Sequence, residues 1–446
     1  MAKPDKRRYV GLDVHKKFLQ FAIIDQDGQL LQEGKVPMDR RALQQFAEGL
    51  LQPSDEVALE STTNAWAVAD LLEPYVAKVV VSNALATKAI AWAKVKTDKV
   101  DARVLAQLLR CDYLPEVWRP DETTRRMRRL SNRRMALVKQ TTMARNRIHA
   151  ALAQCLIHPE KALFSKAGQR WLEQLLQSDT LPEDVREAIT HDLDLLRLLE
   201  QQIQAVERSM AQAGHESEDV RLLLTMHGIG LVAAVGLSAV IGPIDRFTRA
   251  EQLVSYLGLC PQTKQSGARS YHGPITKQGS ALGRFLLIEA AHHYRTHPGP
   301  LGVFFRRLKA RKGYNKAVTA VARKLAVIIF WMLKQREPYR YAYPTSTQQK
   351  LSRLRIVATG VRRRSGLKRG QKKSARLPGG SRVIKSLDRV YEEENLPRRR
   401  PLPAGEQRVI RETGAGAFVA SIAQEHIVPR KGSRAWHRTP QHEVSL

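Results

Sequence analysis

Two apolar, strand-like runs near the start of the chain carry a carboxylate at or near their ends: Asp13 in Gly11-Leu12-Asp13-Val14-His15-Lys16, and Glu60 in Val57-Ala58-Leu59-Glu60-Ser61-Thr62. Further on, Lys96-Thr97-Asp98-Lys99-Val100-Asp101-Ala102-Arg103 sets two aspartates three apart at the start of a helical pattern, so both leave one turn in the same direction. A fold that accommodates all four must bring two strand ends and one helix start together. Carboxylates crowded in this way repel unless a cation joins them, and divalent magnesium, a hard ion that prefers oxygen ligands, is the usual answer. Two such ions roughly 3.5–4 Å apart activate an attacking oxygen and stabilise a leaving one at a phosphodiester. The chemistry implied is nucleic-acid strand cleavage.

Residues 7–118 read as an α/β domain. Strand candidates lie at 9–14, 18–24 and 30–36, with Asp27-Gly28 supplying the second turn. A helix over 40–51, a strand at 57–60, a helix at 65–72 and a strand at 78–81 follow, then helical patterns at 84–94 and 98–110. Three consecutive strands, a helix, then alternating strands and helices is the order of a ribonuclease-H-like sheet. In that architecture the first strand is central, which puts Asp13 in the middle of the sheet.

Residues 119–215 carry two amphipathic stripes, Leu130, Leu137, Ala144, Ile148, Ala151 and Cys155, then Ile189, Leu193, Leu196, Leu199, Ile203, Val206 and Met210. They predict an antiparallel coiled-coil arm suited to dimerisation, although Arg134 and Thr141 interrupt the first seam. Residues 216–340 read as a second, mostly helical compact unit. From 341 to 446 the chain is expected to be a basic, disordered tail that orders on nucleic acid: residues 345–446 hold 23 Lys or Arg against 8 Asp or Glu, with Arg362-Arg363-Arg364, Lys372-Lys373 and Arg398-Arg399-Arg400 among Gly, Ser and Pro.

The net charge of +31 points to a polyanion, since basic side chains release counterions from phosphate backbones. A membrane is the competing partner, but the longest apolar runs, such as 325–333, fall well short of the roughly 20 residues needed to span. The first residues lack the apolar core of a signal peptide. Cys111, Cys155 and Cys260 are far apart and in no Cys-x-x-Cys arrangement, so they read as small buried hydrophobes in a reducing, cytoplasmic setting.

Taken singly, each carboxylate is an ordinary turn or cap residue, and Asp98 in particular is placed to cap its helix. Four in compatible positions favour a metal site. A Gly-x-Asp between early strands also opens actin-like ATPases, but the second glycine-rich phosphate turn those folds need is not found in the sequence. Gly228-Ile229-Gly230 matches a helix-hairpin-helix turn, in which Gly228 and Gly230 let backbone amides approach a phosphate; a pure packing corner fits equally well. Ser266, in Lys264-Gln265-Ser266-Gly267-Ala268-Arg269, earns no role from its residue type alone, though Lys264, Arg269 and Lys277 could activate it or neutralise a phosphate. His292, His293 and His297 lack an acidic or Cys partner nearby, and Pro298 ends their helix, which argues against zinc.

Together these motifs resemble the transposases of the IS110 family, particularly the IS1111 branch. The N-terminal residues quoted above are similar to that family's DEDD set on a RuvC-like domain. The C-terminal likeness runs from Gly228-Ile229-Gly230 through Phe247, Tyr256-Leu257-Gly258-Leu259 and Ser266-Gly267 to Ile275-Thr276-Lys277-Gln278-Gly279. The resemblance implies that Asp13, Glu60, Asp98 and Asp101 hold two magnesium ions and that Ser266 is the nucleophile that joins a DNA strand. It further implies donor and target DNA as substrates, a guiding noncoding RNA, dimers that pair into tetramers, and a bacterial cytoplasm with nucleoid association. Lys96, Arg103, Gly228, Gly230, Lys264, Arg269 and Lys277 are the candidates for nucleic-acid contact. Where the family commonly has a glycine and then a tyrosine after its Glu-Ser-Thr, this chain has Thr63 and Ala65, which bears on the turn after Glu60. A hydrolytic nuclease of the Holliday-junction-resolvase type, and an inactive nucleic-acid-binding protein, are the two alternative readings.

Overall fold

The computed structural model describes residues 7–90, 97–266, 269–361 and 381–429. The chain divides into two compact units, 1–121 and 122–446, each with its own core. Among the described residues no helix is long and apolar enough to cross a membrane.

In the first unit β1 (Tyr9–Val14), β2 (Phe18–Ile24) and β3 (Leu30–Pro37) form an antiparallel meander. On the other side of β1, β4 (Glu56–Glu60) and β5 (Lys78–Ser82) run parallel to it, giving the order β3-β2-β1-β4-β5. β1 is therefore central, as the order of elements predicted. Its alternation sorts the two faces. Val10, Leu12 and Val14 join a core with Leu43 and Phe46 of α1 (Arg40–Leu50) and Val68 and Leu72 of α2 (Ala65–Leu72). Tyr9, Gly11 and Asp13 belong to the opposite face, where α4 (Asp98–Arg110) lies across the sheet with Leu105 and Leu109 packed on Ala58 and Val80. α3 spans Ala84–Ile90, and the last four residues of the helix expected over 84–94 lie outside the described ones. A bidentate pair from the Arg8 guanidinium to the fully buried Asp55, at 2.8 and 2.7 Å, fastens the start of β1 to the loop before β4.

The second unit begins with two 33-residue helices, α5 (Glu122–Gln154) and α7 (Glu183–His215), flanking α6 (Lys166–Gln177). Ion pairs Arg134–Glu207 and Arg147–Asp192 match low numbers with high ones, so the helices run antiparallel. The two residues that interrupt the first apolar seam are accommodated: Arg134 pairs across to Glu207 at 2.8 Å, and the Thr141 hydroxyl donates to the Leu137 carbonyl of its own helix at 3.0 Å. Ile148, Leu152, Leu172 and Ile189 close one end of this hairpin. Met127 and Met210, at the other end, enter the main core.

That core is built from α8 (Glu218–Leu224), α9 (Leu231–Ile241), α10 (Ala250–Tyr256), α11 (Ala281–His292), α12 (Pro300–Lys312), α13 (Tyr314–Gln335) and α14 (Pro344–Thr359). A hairpin of β6 (Pro261–Ser266) and β7 (Arg269–Ile275) projects between α10 and α11 in the sequence. All three cysteines are free; Cys111 is exposed, contrary to the expectation that it is buried.

The expected disordered tail is corrected for residues 344–361 and 381–429. Beyond α14 the chain forms β8 (Ser381–Ile384), α15 (Leu387–Glu393), α16 (Ala404–Thr413), α17 (Gly416–Ala423) and β9 (His426–Pro429), and Leu387, Tyr391, Leu396, Ile410 and Ile422 enter the main core. Net charge misled because the cations find acids far away in sequence. Arg399 pairs with Asp388 at 2.6 Å, Arg340 with Glu406 at 2.6 Å, and Arg389 with Glu425 at 2.8 Å. Arg362-Arg363-Arg364 and Lys372-Lys373 lie outside the described residues. The Tyr391 ring is fully buried and its hydroxyl donates to the Tyr339 carbonyl at 2.6 Å. Tyr391→Ala is therefore expected to cost about 3–5 kcal/mol of stability in denaturant unfolding, as other large core truncations do; a cost below about 1 kcal/mol would detach 381–429 from the core.

Candidate functional site

Asp13 stands one residue from the end of the central strand, opposite Gln20 of β2. The parallel register Leu12↔Leu59 carries the next rung to Asp13 and Glu60, so the two carboxylates end adjacent strands. Asp98 and Asp101 arrive from α4. Its cap is Thr97, whose hydroxyl accepts from the Val100 amide at 3.3 Å. Asp98 is thus relieved of capping, the ordinary role its position would give it, and its carboxylate turns toward Asp13. Between them sits His15, with Nε2 3.0 Å from Asp13 Oδ2 and 3.3 Å from Asp98 Oδ1. Lys35 Nζ lies 3.9 Å from the other Asp98 oxygen.

One backbone contact sets this arrangement. A Cβ at Gly11 would stand 2.0 Å from the Ala102 carbonyl oxygen and 2.6 Å from the Ala106 amide nitrogen. Only a glycine lets α4 approach so closely, and Asp98 lies one turn before Ala102. Arg103 and Lys99 both pair with Glu33 of β3, at 2.8 and 3.2 Å, pinning the helix across the sheet. Arg103 thus has an intramolecular partner, and Lys96 lies outside the described residues. The turn after Glu60 is tied down as well, since the Asn64 amide donates to the His15 carbonyl at 3.5 Å. Thr63 has no positive φ, so the turn does not require the glycine that the family commonly places there.

Burial raises the Asp13 carboxyl above the ordinary aspartate range; His15 opposes the shift, and Asp101 and Asp98 add to it. Asp13, His15 and Asp98 offer two oxygens and one nitrogen, all within 4.8 Å of one another, a spacing that a single cation can bridge. The oxygen donors suit a hard divalent ion, and the imidazole is compatible with a borderline one. Asp101 acts on Asp13 through its charge and Glu60 flanks it on the next strand, while neither belongs to that tight group.

In the second unit the Gly228–Gly230 turn joins α8 to α9. Its two glycines do different work. Gly228 has φ +77°, and a Cβ there would meet the Ala290 carbonyl at 2.7 Å, so it serves packing. Gly230 faces open space and begins α9 with no side-chain cap, leaving the first amides of that helix uncovered. Lys350 of α14 braces the turn from within, donating to the Met226 and Ile229 carbonyls at 2.6 and 3.0 Å, and burial lowers its ammonium pKa to about 7. In the β6–β7 hairpin Ser266 is registered with Arg269 and Lys264 with Tyr271. Arg269 and Lys277 are exposed. The hairpin's base is closed by Thr276 N–H to the Cys260 carbonyl at 2.8 Å and Lys277 N–H to the Gly258 carbonyl at 3.2 Å. Gly267 and Ala268 lie outside the described residues.

Two family models match the chain: a transposase model for the DEDD domain of IS110 elements over residues 10–157, and the transposase IS116/IS110/IS902 family over residues 220–301. The chain belongs to the IS110 family of transposases. A putative transposase of Sinorhizobium fredii is 30% identical over 272 residues, 60% of this chain and 63% of that protein. The transposase for insertion sequence element IS1111A of Coxiella burnetii is 30% identical over 138 residues, 30% of this chain and 38% of that protein. These alignments span less than two thirds of either relative. The insertion element IS116 protein of Streptomyces clavuligerus, described as uncharacterized, is 23% identical over 401 residues, 78% of this chain and 99% of its own length.

Within the IS110-type first domain, His15 is the residue that sequence reasoning passed over. The signal was present: His15 lies two positions after Asp13, hence on the same side of an extended chain. Lys350 was hidden because it lies in the stretch read as tail. Gly11→Ala tests the close approach of α4. It is expected to cost at least about 1–3 kcal/mol of first-domain stability in thermal or denaturant unfolding, the range for overpacking, because backbone on both sides must give way.

Proposed function

We propose that this chain is a DNA transposase whose first domain, with a ribonuclease-H-like fold, binds divalent metal, and whose second domain supplies the nucleophile Ser266. The meeting of Asp13 and Asp98 around His15 at the end of the central strand, in a chain of this family, carries the reading. Asp13, Glu60, Asp98 and Asp101 would hold Mg2+, two ions in the full site. When bound, the metal supplies positive charge to the scissile phosphate. The chain's own part is to bring the carboxylates close together. The Ser266 oxygen would attack phosphorus, forming a phosphoserine ester as the bond to one deoxyribose oxygen breaks and that oxygen takes a proton. A second strand's hydroxyl then reverses the step, joining strands with no net loss of phosphodiester bonds. Arg269, Lys277 and Lys264 would offset the developing phosphate charge, and the uncovered amides of α9 at Gly230 would hold a neighbouring phosphate.

The α5–α7 hairpin is read as a coiled-coil arm for dimerisation, with dimers pairing to tetramers, and a noncoding RNA as the guide that reads sequence by base pairing. The cytoplasm and nucleoid are the expected location of such a protein.

Incubation with target DNA and Mg2+, followed by denaturing electrophoresis, tests the core of this reading. A DNA-linked protein band is expected, lost completely in Ser266→Ala, and reduced more than about a hundredfold in Asp13→Asn, the scale on which loss of one charge-stabilising group acts. Strand nicking that survives Ser266→Ala and leaves no linked band would make the protein a hydrolytic nuclease. DNA binding unchanged by Asp13→Asn, with no cleavage in any form, would make it an inactive binding protein.

A further inference from the structure

Between Glu289 and Glu337 the chain has no acidic residue and eleven lysines and arginines. This stretch holds α12 and α13, which turn back on each other at Gly313, where φ is +83°. By helical spacing Phe304, Arg307 and Arg311 follow one face of α12, while Lys316, Arg323 and Trp331 follow a face of α13. Arg307, Arg311, Lys316 and Arg323 are exposed and enter no ion pair among the described residues. By contrast Arg340, Arg389 and Arg399 of the same unit are all paired to acids.

An open cavity of about 690 Å³ is lined by Arg307, Arg323 and Lys324, with Phe304, Val327 and Ile328 among its apolar lining. Lys324 Nζ lies 4.7 Å from the Phe304 ring centroid. A second cavity of about 300 Å³ shares Ile328, Tyr339 and Tyr341 with it and carries Trp331, half exposed at 50%. The acids on the facing wall do not cancel the cations, since Glu406 is bound by Arg340 and Glu412 by Arg408. From Lys316 to Trp331 the helix extends for about 22 Å, room for a few nucleotides. Nearly all of this surface lies beyond residue 301, where the family match ends.

A duplex backbone would engage only the cations. The apolar and aromatic floor has a use only where base faces are free to stack. We propose that the α12–α13 groove binds an unpaired DNA strand, with phosphates on Arg307, Arg311 and Arg323 and bases against Phe304, Val327 and Trp331. The choice of DNA rests on the strand-exchange reading above, in which cutting releases unpaired DNA; the surface itself does not depend on that reading.

The test uses the full chain carrying Ser266→Ala, so that no strand is cut, without divalent metal. Fluorescence anisotropy is read with a labelled single-stranded oligodeoxynucleotide, its duplex, and an RNA of the same sequence. Adding Arg307→Gln and Arg323→Gln is expected to weaken single-stranded DNA about tenfold and to reduce the slope of log affinity against log salt by about 1.4, the value for two lost phosphates, with duplex affinity changed by less than about twofold. Trp331→Ala should weaken the single strand at least about fivefold with the slope unchanged, as a lost stacking platform does. These side chains are exposed, so thermal unfolding should not move. Equal losses on duplex would make the corner a backbone clamp, larger losses on RNA would make it an RNA surface, and no loss would leave it unused; each overturns the proposal. Absence of the Ser266-dependent linked band would instead sink the transposase reading while leaving this binding result standing.

Discussion

The contact between the α4 backbone and Gly11 is the constraint on which the acidic centre depends. A sheet and a helix normally meet through side chains, at a distance that those side chains set. Here the face of β1 under the helix has no Cβ at the point of crossing, and Ala102 and Ala106 supply only backbone and methyl groups. The helix therefore sinks onto the strand, and its first turn drops to the level of Asp13 two residues further along. Any side chain at position 11 would lift that turn and open the spacing between Asp13 and Asp98. Glu33, gripping Lys99 and Arg103, resists lateral sliding of the same helix.

The centre so formed is an acidic point in a protein of net charge +31. Cations stand close to it even so, with Lys35 Nζ 3.9 Å from an Asp98 oxygen. His15 lies where the carboxylates of Asp13 and Asp98 converge, within hydrogen-bonding reach of Asp13 and close to Asp98. An imidazole there gives both acids a nearby polar partner and holds their side chains in a convergent pose. That is a preorganising role, and it accounts for a histidine at a position where a second carboxylate would only add to the repulsion.

Much of the first unit was readable because its signals are local. β1 and β2 announce themselves by short apolar runs, α2 and α4 by helical spacing, and the central place of β1 follows from the order of elements. Asp13 and Asp98, the two carboxylates that meet around His15, were readable for the same reason. Thr97 was missed as the cap because Asp98 fits that role equally well by residue type, and only three-dimensional direction distinguishes them. Long-range pairing was not readable at all. Arg134 looked like a flaw in a seam until Glu207 appeared across from it, and Arg389 and Arg399 looked like parts of a solvated tail until Glu425 and Asp388 were found beside them. The role proposed for Ser266 rests on the family resemblance, because a serine in such a segment carries no physical mark of nucleophilicity.

The distribution of positive charge divides into two kinds once those pairs are known. Arg389 and Arg399 face acids of the same unit, Glu425 and Asp388, so the charge of these two is locally balanced. The α12–α13 stretch differs: its 47 residues hold eleven cations and no acid, and although Lys334 and Arg336 reach Asp245 and Asp219, Arg307 and Arg323 enter no ion pair among the described residues and line a cavity with an apolar floor. A helix pair with that much unbalanced charge repels itself, and two adjacent helices tolerate it only because an apolar seam including Ala317, Val321, Leu325 and Ile329 holds α13 into the core. Folding alone gives no reason to keep so many like charges together. A polyanion does, and a polyanion whose bases are free to stack also gives a reason for the hydrophobic surface beside them.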